Sequence, residues 1–271
     1  MNAISAEKMV FYSKEFNKNG FVLIPEVISK ERVDEIKCVV DGLFSDEKLK
    51  TRTDTSLADP RYIQHLPDKE NKWVPFLLRN TVQLHQVFRE MLVEDPIWSI
   101  AKHILGDDCK FCGQNVIRNT PGVAISSWHI DGELHFPVPD FVDHHHPDIP
   151  PPNLWITVQV PLTDILSDDD GPTQYVPGSH LSGKEPNDPE HPTFLGRGPK
   201  SVLCKAGDIY IQNPQCWHRG APNNSNTTRY VFQTQYAVHW AYRRFGLANN
   251  VPIEESERSA CDVQILSVLG Y

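Results

Sequence analysis

Apolar spacing changes character near residue 108. Before it, apolar residues recur at three- and four-residue steps; after it, they come as short β-branched or aromatic runs broken by Gly, Pro, Asn and Asp. Met9, Tyr12 and Phe16 share one face of a predicted helix over 5–18, with Ser5 placed to cap its start and Gly20 to end it. A short strand, Phe21 to Ile24, follows. Ser29 caps a second helix, whose apolar stripe is Val33, Ile36, Val40, Leu43 and Phe44. Residues 45–78 are polar and irregular and predict no element. Val82, Leu84, Val87, Phe88 and Met91 restore helical spacing over 80–92, and Asp95-Pro96 opens another helix that Gly106 ends. The part up to about residue 108 therefore reads as mostly helical.

The later texture predicts strands at 111–118, 124–131, 154–162, 173–177, 201–204, 208–213 and 229–238. Seven or eight short strands suit a jelly roll, whose two sheets leave a pocket between them. The expected architecture is one domain over 1–271, mainly β with flanking helices. Its jelly-roll core spans about 109–240, and the helices come mostly from the N-terminal third. Two insertions interrupt the strands. Residues 132–153 carry six prolines, Phe136, Phe141 and the run His144-His145-His146, while 181–200 are rich in Pro, Gly and charge. Long irregular segments inside a compact domain are commonly functional, which makes 132–153 a candidate substrate lid and Phe136 a candidate substrate contact.

Composition narrows the function classes. At 271 residues and 39% hydrophobic, the chain is long enough for a sizeable core. No run of about 18 apolar residues occurs, and the N-terminus lacks a basic start followed by an apolar stretch, so the expectation is a cytoplasmic protein without a membrane partner. A net charge of −9 disfavours a nucleic-acid surface. The six cysteines are scattered and fit reduced thiols; Cys109 and Cys112 form one CxxC, with no second pair to complete a zinc site.

The candidate chemistry sits in Ser126-Ser127-Trp128-His129-Ile130-Asp131-Gly132. In a strand, residues i and i+2 face the same way, so His129 and Asp131 project side by side, whereas Trp128 turns away and reads as core. Alone, such a pair is more often a hydrogen-bonded couple than a ligand set. Oxygen-activating iron(II) enzymes often use two histidines and one carboxylate on one face of the metal, and His218, in the turn-rich run after 208–213, is the candidate second histidine. Adjacent histidines in an extended segment cannot all face one ion, so His144 to His146 read as a solvated tip. Arg229 follows His218 by 229 − 218 = 11 residues.

With these features the chain resembles the phytanoyl-CoA dioxygenase family of Fe(II)- and 2-oxoglutarate-dependent oxygenases. The HxD of His129 and Asp131, the distant His218 and the arginine 11 residues later resemble that family's metal triad and 2-oxoglutarate-binding arginine. Asp170-Gly171-Pro172-Thr173-Gln174-Tyr175-Val176-Pro177-Gly178-Ser179-His180 looks like its NG-x-x-x-x-x-PGSH block, with Asp170 where Asn is common. Gly20 to Pro25 is similar to its N-terminal strand, so the likeness spans roughly residues 10 to 240.

The resemblance implies a double-stranded β-helix and an oxidation, most simply a hydroxylation, of a small organic molecule. Fe(II), 2-oxoglutarate and O2 are the implied cofactors, with ascorbate as an optional reductant. His129, Asp131 and His218 are the implied ligands. A guanidinium matches a carboxylate as a planar fork, which gives Arg229 the distal carboxylate of 2-oxoglutarate. Thr173 is expected to donate to the same co-substrate, Gln114 to reach the co-substrate, and Arg118, on the same strand face as Gln114, to reach the substrate. A cupin-like metal-dependent isomerase or hydrolase, or a non-catalytic ligand-binding member of the fold, are the alternatives. An isomerase has no need of Arg229 at that spacing.

Overall fold

A computed structural model describes residues 4–50, 63–245 and 253–271. The opening helix α1 (Ala6–Asn19) starts at Ser5, whose side chain accepts from the Lys8 N–H, and stops at Gly20, where φ is 80°. After β1 (Phe21–Ile24) comes α2 (Lys30–Ser45), capped by Ser29 and burying Val33, Ile36, Val40 and Phe44. Two short helices, α3 (Glu47–Lys50) and α4 (Gln86–Glu90), and the longer α5 (Ile97–Leu105) complete the N-terminal helices.

The first hundred residues are less helical than their spacing suggests. Two strands, β2 (Ile63–Pro67) and β3 (Trp73–Arg79), form a hairpin where no element was expected, and 80–92 holds only a 3-10 turn and α4. Asn80 sits at φ 54° and His85 restarts the helix by accepting from the Val87 N–H, so the pattern breaks into pieces. The later strands are β4 (Lys110–Asn119), β5 (Ile125–His129), β6 (Trp155–Pro161), β7 (Thr173–Tyr175), β8 (Lys200–Ser201), β9 (Ile209–Gln212), β10 (His218–Gly220) and β11 (Arg229–Ala237). Apart from β10, which lies in the run expected to be turn, they overlap the runs that alternation places, with β8 sharing only Ser201 with the expected 201–204. Short helices α6 (Tyr242–Phe245), α7 (Glu255–Arg258) and α8 (Val263–Leu269) follow, unforeseen in the sequence.

The strands make two antiparallel sheets, a large one in the order β1-β9-β6-β11-β4-β3-β2 and a small one in the order β5-β10-β7-β8. This is the expected jelly roll, with three strands of its large sheet supplied by the N-terminal part. One face of the large sheet carries Val116, Ile156, Val158, Val160, Ile209, Ile211, Phe232 and Tyr236 into the main core, against Phe16, Ile36, Val40, Phe88 and Met91 of the helices. The other face, offset by one residue on each strand, looks across to the small sheet and forms a cavity. Among the described residues no helix is long and apolar enough to cross a membrane.

Candidate metal centre

The antiparallel pairing of β10 with β5 sets His218 directly opposite His129, and β7 on the other side sets Tyr175 opposite His218. The two imidazole centroids lie 4.3 Å apart. Asp131 follows β5 on the same face, its backbone N–H held by Pro214 O at 2.9 Å. Its Oδ1 stands 3.6 Å from His218 Nε2 and 3.9 Å from His129 Nε2. This is the one cluster of three metal-ligating side chains among the described residues.

Each imidazole is held in the tautomer that metal binding needs. His129 Nδ1 lies 2.9 Å from Ser127 O and His218 Nδ1 lies 2.8 Å from Cys216 O. A carbonyl only accepts, so both protons sit on Nδ1 and both Nε2 lone pairs face the cavity. Ligand atoms about 2.1 Å from a metal stand about 3 Å apart in adjacent octahedral positions, so the triad is slightly open relative to a loaded site. Burial and the neighbouring His218 push His129 below its ordinary pKa. Burial works to raise Asp131, but His218, His129 and the Gln212 amide outweigh it and hold the carboxyl below its ordinary value. For His218 burial pulls down and Asp131 more than restores, leaving the ring raised. The carboxylate is therefore present at neutral pH, as a divalent metal requires.

A chain of amides holds Asp131 from behind. Gln212 Nε2 donates to Asp131 Oδ2 at 2.9 Å, which leaves Oδ1 toward the histidines. The Tyr175 hydroxyl and Gln159 Nε2 both donate to Gln212 Oε1, and Gln233 Nε2 donates to Gln159 Oε1 at 3.1 Å. None of these residues was singled out in the sequence. Their signal is a glutamine at a cavity-facing position of an otherwise apolar strand.

The cavity between the sheets encloses about 240 Å³ and is lined by all three members of the triad together with Thr173 and Arg229. Arg229 is 4% exposed, and its Nε and Nη1 are buried without a hydrogen-bond partner. Burial lowers its pKa from the ordinary value, yet an arginine guanidinium stays protonated inside proteins. The Thr173 hydroxyl lies 3.0 Å from that of Tyr210. Arg229 and Thr173 thus border the same cavity as the triad.

Three other expectations do not hold. Gln114 faces the helices: it accepts from Thr81 Oγ1 and donates to Phe88 O and Thr234 Oγ1, so its amide is spent tying α4 to the sheet. Arg118, two turns of the pleat further on the same face, donates to the Tyr230 hydroxyl at 3.1 Å and lies over the Phe44 ring. Cavity access belongs to the neighbours Asn115 and Ile117. Phe136 is not among the lining residues, because 132–153 folds away from the cavity: His145 N–H donates to Leu181 O and Val138 N–H to Gly183 O. The insertion thus covers the outer face of the small sheet with 181–200, burying Trp128 and Trp217 with Leu181 and Phe194, and is not a lid in this structure. His145 Nε2 bonds Phe136 O and His144 packs on Phe194, so these histidines hold the insertion. His180 is buried against Asn17 O and holds the turn after Gly178.

Comparison with known proteins agrees with this geometry. The profile of the family Phytanoyl-CoA dioxygenase (PhyH) matches residues 16–231. Dioxygenase af480 of Aspergillus fumigatus is 23% identical over 212 residues, which are 76% of this chain and 59% of that protein, so the chain spans little more than half of this curated relative. Among solved structures, the epimerase SnoN in complex with Fe3+, α-ketoglutarate and nogalamycin RO superposes with a TM-score of 0.64 at 16% identity, over 86% of this chain and 85% of SnoN. HygX from Streptomyces hygroscopicus, with nickel and 2-oxoglutarate bound, gives 0.61 at 17% identity, over 88% and 89%.

Proposed function

The chain belongs to the phytanoyl-CoA dioxygenase family, and from that premise we propose that it is a non-haem Fe(II)- and 2-oxoglutarate-dependent dioxygenase that hydroxylates a small organic molecule. The observation that carries this reading is Arg229. A buried guanidinium with two unpaired donors is costly unless a ligand supplies the acceptors, and a carboxylate matches it in shape and charge. A redox-neutral cupin would have no use for such a group beside its metal.

His129, His218 and Asp131 would hold the iron, and Arg229 with Thr173 would hold the distal carboxylate of 2-oxoglutarate. Once bound, the pair supplies oxidative decarboxylation, in which O2 gives one oxygen atom to succinate and one to the substrate while CO2 leaves. The protein's own part is orientation and exclusion. The Nδ1 hydrogen bonds fix both imidazole planes, Gln212 keeps Asp131 from offering both oxygens, and Ile117, Ile125 and Phe76 keep bulk water from the cavity wall. A structural relative named as an epimerase shows that this fold hosts other outcomes, which product analysis would separate from hydroxylation.

The test is co-substrate binding. Calorimetric titration of the Ni(II)-loaded protein should show one 2-oxoglutarate site, and Arg229→Leu should weaken it by about 1.5–3 kcal/mol, roughly tenfold or more, through loss of charge-assisted hydrogen bonds. Unchanged affinity in the variant would return the site to the cupin reading.

A further inference from the structure

Asp131 sets the direction of every amide behind it. An ionised carboxylate only accepts, so Gln212 turns its Nε2 to Asp131 and its Oε1 away. Gln159 therefore meets Gln212 with its Nε2, at 2.6 Å, and Gln233 meets Gln159 Oε1 with its own Nε2, at 3.1 Å. All three amides thus direct an N–H toward the metal site. The far end of the chain is Gln233 Oε1, which accepts from no described residue. Gln233 lines the cavity, so this oxygen is a fixed acceptor there: turning the amide over would set two oxygens against each other at Gln159.

Asn115 stands directly opposite Gln233 in the pairing of β4 with β11, where facing Cβ atoms lie about 4.5–5.5 Å apart. Its side-chain amide also lines the cavity and hydrogen-bonds no described residue, so it can turn an N–H toward whatever Gln233 receives. Arg79, next along this row on β3, is tied to Gln64 of β2 at 3.0 Å. The adjacent row, Leu77↔Ile117↔Val231↔Pro161, is apolar. Arg229 lies beyond it, four residues from Gln233 and so about 13 Å along the strand. The proposed co-substrate anchor and the pair of Asn115 and Gln233 therefore stand at opposite ends of the cavity.

Resting on the Fe(II)/2-oxoglutarate reading, we propose that the substrate is a small alcohol held by its hydroxyl, which donates to Gln233 Oε1 and accepts from Asn115 Nδ2, while its carbon skeleton lies on Leu77 and Ile117. A hydroxyl offers both roles in one atom. An ether or a carboxylate brings no proton and would face the Gln233 oxygen lone pair to lone pair. The enclosed 240 Å³ must hold the co-substrate as well, below the roughly 300–1,000 Å³ of drug-sized pockets, so the enclosed part of the substrate is small.

Zn(II)-loaded protein saturated with 2-oxoglutarate provides the test, read by ligand-observed NMR and therefore independent of turnover. The probes are cyclohexanol with methoxycyclohexane, benzyl alcohol with benzyl methyl ether, and cyclohexanecarboxylate as the anion. Each alcohol should bind about threefold to tenfold tighter than its ether, the value of a neutral hydrogen bond, and cyclohexanol should bind tighter than the acid. Gln233→Leu should erase the preference over the ethers by weakening the alcohols alone, and Asn115→Leu should reduce it; both should leave 2-oxoglutarate affinity unchanged. Equal binding of alcohols and ethers, tighter binding of the acid, binding of no probe at millimolar concentration, or a preference that survives Gln233→Leu overturns the substrate assignment while the co-substrate reading stands. Failure of 2-oxoglutarate itself to bind the wild-type metal-loaded protein overturns both.

Discussion

Replacing Gln212 by Leu removes the one hydrogen bond the structure shows on Asp131 Oδ2 and tests whether the amide chain serves the metal site. The bond is 2.9 Å long and its acceptor is charged, so its loss is worth about 1.5–3 kcal/mol. Asp131 is 30% exposed into the cavity, so water replaces part of the interaction and the lower half of that range applies. Metal affinity, measured by competition with a chelator, should then fall about tenfold, the low end of what outer-shell partners contribute. A second cost falls on the apo protein. The Tyr175 hydroxyl loses its acceptor at a fully buried position, which should cost about 1–3 kcal/mol in urea unfolding. Gln233→Leu is the control, since it lies two links further from the carboxylate and should leave metal affinity within about twofold. If Gln212→Leu binds metal as tightly as the wild type, the amide chain is ordinary core packing and has no part in shaping the ligand set.

Two further outcomes follow from the α1 docking. Burial pushes His180 down to about 4 from its ordinary 6.5, so the unfolded chain takes up the proton first; the stability this residue contributes is present above pH 6.5 and is lost as pH falls toward 4, a span of about 3 kcal/mol. Urea midpoints of the apo protein between pH 7.5 and 4.5 should therefore fall less steeply for His180→Gln than for the wild type, and parallel curves would contradict the assignment. Gly20→Ala puts a Cβ 2.6 Å from His180 Nδ1 and 2.9 Å from Cys216 Sγ at a φ of 80°, so it should lower stability by about 2–4 kcal/mol, against a negligible change in a variant such as Lys14→Ala on the exposed face.

The residues that alternate against a polar background were legible: β1, β4, β6, β9 and β11 sit within a residue or two of their predicted limits. The hairpin of β2 and β3 was hidden by Pro67 and by Pro75 in mid-strand, where the missing N–H argues against a sheet interior, and by a bulge between Gln64 and His65. The error at Gln114 and Arg118 has a sharper cause. Alternation divides β4 into two sets, 114/116/118 and 115/117/119, but nothing in one strand says which set faces the cavity, and choosing the wrong one exchanges every side chain. The ligand set escaped this ambiguity, because His129 and Asp131 define their own face and His218 is paired directly across from it. Gln159 and Gln212 were missed because a buried glutamine has meaning only once its neighbours across the sheet are known.

The two sheets divide the labour unevenly. His129 and His218 belong to β5 and β10 and Asp131 lies two residues past β5, whereas Arg79, Asn115, Gln233 and Gln235 all project from the opposing sheet. Substitution at β3, β4 and the far half of β11 therefore reshapes one wall of the cavity and leaves the imidazoles and their carbonyl partners, on the other wall, in place. The two insertions pack instead on the back of the small sheet, and the first is joined to the ligand set through Gln215, which accepts from the His135 N–H and donates to Asp131 O and Glu133 O.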